Sequence, residues 1–141
     1  MDSTLCDPIE RFIRNALGCQ CPDAVFRRIR VDECPKQFGD WPGARLISVG
    51  DRLLILVLHS DDSDLMHRAL GGLLEEGRRL RESRGFNRFR LVIATNCAGL
   101  MEPSLRNDFE CLEGMDERLH LHVIAAAQVP AMPDEVPTEV G

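Results

Sequence analysis

The sequence has no tyrosine, one tryptophan and six phenylalanines, and aromatics make up 5% of it. Rings on which unpaired bases stack are therefore scarce, which argues against a single-strand nucleic-acid reader. Basic residues are also in deficit: Lys and Arg number 17 against 23 Asp and Glu, for a formal charge of −6. Phosphate backbones call for the opposite excess, so nucleic acid is not the expected partner. The longest apolar run, Leu53 to Leu58, falls far short of the roughly 20 residues of a membrane-spanning helix. Met1 to Pro8 has neither the basic start nor the apolar stretch of a signal peptide. No membrane attachment and a cytoplasmic location are the resulting expectations. Nucleophile elbows, phosphate-binding glycine loops and His-Glu-x-x-His helices are missing too, so no catalytic role is expected.

What remains is an ordinary globular composition. At 141 residues and 44% hydrophobic content, the chain suits one domain that buries a core without help from disulfides or metal. Asp7-Pro8-Ile9-Glu10 combines an N-cap, a first-turn proline and a capping-box glutamate, and Ile9, Phe12, Ile13, Ala16 and Leu17 follow at helical spacing. Gly18 supplies a left-handed stop. Pro22-Asp23 starts a second short helix through Val25 and Phe26, ahead of a strand around Ile29 to Val31. Asp32 to Gly43, with two prolines and the tryptophan, reads as an irregular loop. Ala44 to Val49 and Leu53 to His59 read as a hairpin around Gly50-Asp51-Arg52.

The acidic run Asp61-Asp62-Ser63-Asp64 caps a long helix to about Ser83, which Gly71, Gly72 and Gly77 interrupt. Phe89 to Thr95 has the continuous apolar character of a strand covered on both faces. Asn96 to Glu102 reads as a loop, Pro103 to about Leu112 as a helix with proline in its first turn, and Leu119 to Ala125 as a last strand. Right-handed crossovers make the last two strands parallel to their predecessors. The expected fold is α/β, with α+β as the alternative: one mixed sheet of about five strands, including a β-hairpin, with helices packed on it. Residues 1 to 127 form that domain. Residues 128 to 141, Pro-rich and acidic, are expected to be a disordered tail, and without their three carboxylates the rest carries about −3.

Six cysteines carry the distinctive chemistry. Structural disulfides seldom persist in a reducing compartment, so free thiols, metal ligands or redox pairs are the readings to weigh. Cys19-Gln20-Cys21-Pro22 lies between a helix stop and a helix start. A thiolate there is favoured by the free N–H groups of a helix start, which lowers its pKa. A bond between the two sulfurs closes a small, strained ring and is easily reduced. Alternatively, Cys19 and Cys21 are half of a zinc or iron–sulfur site completed by Cys34 and by Cys97 or a histidine. A third reading makes all of them small apolar fillers at a helix junction.

His120 and His122 alternate with Leu119, Leu121 and Val123, so both rings leave a strand on one face, an arrangement that suits either chelation or a solvated edge. Arg78, Arg79, Arg81, Arg84, Arg88 and Arg90 form the densest positive stretch, best read as a helix face paired with Glu75, Glu76 and Glu82. Leu17-Gly18-Cys19-Gln20-Cys21-Pro22 with Val25-Phe26, together with Gly85 to Leu91, resembles the signature of a group of small uncharacterised prokaryotic proteins. That resemblance implies no activity. The expectation is a small protein whose Cys19 and Cys21, with Cys34 and Cys97, bind zinc or an iron–sulfur cluster or sense redox state, acting through protein partners. The alternative is an interaction or regulatory module, with no reactive site, that binds another protein through the arginine-rich face, the Trp41 loop or a sheet edge.

Overall fold

The computed structural model describes residues 9–17, 29–50, 52–112 and 117–130, without the side chains of residues 15 and 16. Five strands form one mixed sheet in the order β1 (Ile29–Glu33), β2 (Arg45–Val49), β3 (Leu53–His59), β4 (Arg88–Thr95) and β5 (Leu119–Ala125). The first three make an antiparallel meander, and β4 and β5 each run parallel to the strand before them. The crossovers contain α1 (Ser63–Arg84) and α2 (Ala98–Cys111). The α/β architecture, the hairpin and the parallel pairs are thus as the sequence implies. The Pro22 helix lies outside the described residues, as do Asp7, Gly18 and the tail beyond residue 130.

β3 explains the layering. Leu53 to Leu58 are all buried, and successive side chains point to opposite faces of a strand. Leu54, Leu56 and Leu58 join the core beneath α1 and α2. Leu53, Ile55 and Val57 face the other way, onto Ile9, Phe12, Ile13 and Leu17. The sheet is therefore covered on both faces, which is why its central strand reads as one unbroken apolar run. The N-terminal segment is helical from Ile9, and Phe12–Ala16 is π-helical, with Leu17 N–H donating to Phe12 O.

Helix α1 starts at Asp62, whose Oδ1 accepts from Leu65 N–H at 3.1 Å. It ends at Gly85 with φ 74°, where Phe86 N–H reaches Arg81 O at 2.9 Å. The left-handed turn favours glycine and closes the last carbonyls of the helix. Of the interrupting glycines, Gly77 has a packing reason: a Cβ there would lie 2.2 Å from the Phe89 ring. The helix backbone thus sits directly on β4, and Phe89 stacks in turn with Phe38 at a centroid distance of 6.0 Å.

Three boundaries differ from the sequence reading. β1 continues to Glu33, because its ladder with β2 extends to the pair Glu33 and Arg45. A 3-10 turn, Lys36–Phe38, interrupts the following loop. α2 begins at Ala98, so Pro103 lies inside the helix. The earlier start is fixed by a clamp across the ends of β3 and β4. Asp61 accepts from Asn96 N–H at 2.7 Å and Thr95 Oγ1 at 2.8 Å, while Thr95 Oγ1 accepts from Cys97 N–H at 3.1 Å. Cys97 O then accepts from Leu100 and Met101 N–H. Pro103 is exposed, and so is Gly99, whose carbonyl loses its helical partner to the missing N–H.

Candidate functional site

The face of the sheet under the N-terminal segment carries a polar group at its β4–β5 end. Arg88 and Arg90 point to the same side as Val92, and His120 and His122 to the same side as Ile124; Val92 and Ile124 both belong to that core. The histidines do alternate onto one face. Their partners are arginines: Arg88 Nη1 lies 3.0 Å from His120 Nε2, and Arg90 Nη1 lies 2.8 Å from His122 Nε2. Guanidinium only donates, so both Nε2 atoms accept and each ring carries its proton on Nδ1. Burial, reinforced by Arg90, His120 and Arg106, pushes the His122 pKa down to about 3. His122 is neutral at ordinary pH. The charge of this group therefore resides on the arginines.

Arg90 extends the group to the N-terminal segment by donating to Leu17 O at 3.2 Å. Leu17 is buried in the core of this face. Cys19 and Cys21 lie outside the described residues, but Cys19 follows Leu17 by two peptide units. Covalent geometry alone keeps their Cα atoms within about 7 Å.

Cys34 and Cys97 are on the side of the sheet opposite the arginine–histidine group. Cys34, just past β1, is half-buried against the core beneath α1 and α2, and its Sγ donates to Pro35 O at 3.6 Å. Burial raises its thiol pKa. It lines an open cavity of about 560 Å³ with Trp41, Lys36, Asp40 and Arg45. Trp41 itself is anchored by Nε1–H to Phe38 O at 2.8 Å. Cys97 precedes α2 and packs against the same core. Among the described residues no three His, Cys, Asp or Glu side chains gather as a metal-ligand set.

Arg78 meets Glu75 and Glu82, and Arg79 meets Glu75 and Glu76. That stretch is the self-paired helix face the sequence suggests as far as Arg78 and Arg79, whereas Arg81 is buried and Arg88 and Arg90 belong to the sheet. The sequence reading missed the partnership of Arg88 and Arg90 with the histidines. The signal available was the matching alternation in Arg88-Phe89-Arg90 and His120-Leu121-His122, which becomes informative only once β4 and β5 are paired.

No described helix is long and apolar enough to cross a membrane. No family model matches the chain, and neither curated proteins nor solved structures yield a match.

Proposed function

We propose that this chain is a thiol redox sensor in which Cys19 and Cys21 are the responsive pair and the Arg88–Arg90–His120–His122 group is their electrostatic partner. The observation that supports it is the bond from Arg90 to Leu17 O, two residues before Cys19. A guanidinium near a thiol favours its thiolate and so its reactivity at neutral pH. The same positive charge opposes a divalent metal, and the two Nε2 atoms that would ligate one already accept from arginine. The redox reading therefore has more support than the zinc or iron–sulfur reading.

The chemistry is thiol–disulfide exchange. One thiolate attacks a sulfur of a small disulfide such as oxidised glutathione, releasing one glutathione thiolate and leaving a mixed disulfide. The second thiolate attacks the protein sulfur of that bond, forming Cys19–Cys21 and releasing the second glutathione. Two protein thiols are oxidised to one disulfide, and one small disulfide is reduced to two thiols, which take up the two protons the protein thiols gave up. The change at the end of the N-terminal helical segment is the signal, read by a protein partner.

The test is equilibration of the full chain in glutathione buffers of graded potential, followed by alkylation and peptide mass mapping. A reversible Cys19–Cys21 disulfide with a midpoint near physiological glutathione potentials is expected. Two thiols that stay reduced throughout, or a mixed disulfide on Cys34 or Cys97 alone, would overturn the reading.

A further inference from the structure

Between α1 and α2 three side chains form a relay. His67 on α1 donates Nδ1–H to Asp108 Oδ2 on α2. Ser104 donates its hydroxyl to His67 Nε2 at 2.7 Å. Ser104 and Asp108 are four residues apart, so one helical turn presents both on the same side of α2. An ion pair that merely joined two helices would need only His67 and Asp108. The third member occupies the remaining ring nitrogen with a hydroxyl, completing the sequence of nucleophile, base and orienting carboxylate that activates a serine.

Access and surroundings fit that role. Ser104 is exposed, and the His67 and Asp108 side chains retain 27% and 42% of their accessibility. A substrate therefore reaches Ser104 Oγ without rearrangement of the helices. Leu100, one turn earlier on α2, is 82% exposed and gives an apolar surface beside the nucleophile. Ser104 is well inside α2, where its backbone N–H is committed to the helix and does not serve a developing oxyanion. Esters with good leaving groups place the least demand on such stabilisation, so they are the class that fits.

We infer that Ser104, His67 and Asp108 form an acyl-transfer site for small activated carboxylic esters. Ser104 Oγ attacks the acyl carbon while His67 Nε2 takes the hydroxyl proton, and Asp108 holds the resulting imidazolium. The carbon–oxygen bond to the leaving group breaks, and His67 returns the proton to that oxygen. Water then attacks the acyl-serine with His67 again as base. The carboxylic acid departs, and Ser104 recovers its proton.

The test uses the full chain with its thiols reversibly blocked and p-nitrophenyl acetate as probe, following nitrophenolate release and mapping acetylated peptides. Acetylation at Ser104 is expected, with release falling to the buffer rate in Ser104→Ala. In His67→Gln release should fall about 100-fold or more, the usual contribution of a general base. Circular dichroism checks that the variants fold. Release by Ser104→Ala equal to that by the unaltered chain, or acetylation elsewhere with Ser104 unmodified, would overturn the inference.

Discussion

The Arg90 guanidinium donates to the carbonyl oxygen of Leu17 at 3.2 Å, joining the first half of β4 to the end of a helical segment 73 residues earlier. The same Nη1 faces His122 Nε2 at 2.8 Å. Any proton added to His122 must therefore displace or repel a neighbouring guanidinium.

That arrangement gives the fold an acid-sensitive point. The folded-state pKa of His122 is depressed from 6.5 to about 3, so between those values the unfolded chain binds a proton that the folded chain does not. Its contribution to stability is complete above about pH 6.5 and is lost as pH falls toward 3, at up to about 1.4 kcal/mol per pH unit. Urea unfolding between pH 7 and pH 4 should show His122→Gln losing less stability on acidification than the unaltered chain. Parallel losses would contradict the assignment.

Two glycines of α1 should respond in opposite directions to alanine. Gly77 has the Phe89 ring where a Cβ would go, whereas Gly72 has nothing within 4 Å. Gly77→Ala should destabilise by about 2 kcal/mol or more through overpacking. Gly72→Ala should stabilise by about 0.5–1 kcal/mol through helix propensity. Thermal and urea unfolding of the two variants measure both.

Pro103 offers a second gain. It lies inside α2 on the exposed side, where its ring removes one helical hydrogen bond. Pro103→Ala should raise stability by about 1 kcal/mol, less than the full interior cost of proline because the unfolded chain also becomes freer.

Asp61 should behave as a clamp. Its pKa is held below the usual carboxylate range by Asn96 N–H, then by the Thr95 hydroxyl and the Asn96 side chain. The stability it gives is present above the ordinary carboxylate pKa and is lost as pH falls through the lowered value. Asp61→Ala should speed amide exchange at Asn96 and Cys97 while leaving β2 protected.

These contacts mark what a single sequence reveals. Phe89 to Thr95 reads as a strand covered on both faces, Leu53 to His59 as a hairpin strand, and the alternation from Leu119 to Ala125 marks both the last strand and the common side of His120 and His122. Local signals sufficed there because period and burial are properties of consecutive residues. The start of α2 is not legible because Pro103 resembles a first-turn proline, and the Asp61 clamp that sets the start at Ala98 joins residues 35 apart. The Arg90 and His122 pair depends on strand register, and the His67, Ser104 and Asp108 relay depends on how two helices lie together. Neither is written in local spacing.

The proposed redox role requires Arg90 to favour the thiolate of the Cys19–Cys21 pair. Iodoacetamide labelling rates, resolved by cysteine and followed from pH 5 to pH 10, test it most directly in the unaltered chain, Arg90→Gln and Arg88→Gln. A thiol of this pair should titrate below the free-cysteine range, with Arg90→Gln moving it upward more than Arg88→Gln. Both thiols titrating like free cysteine, or an unchanged profile in Arg90→Gln, would contradict it.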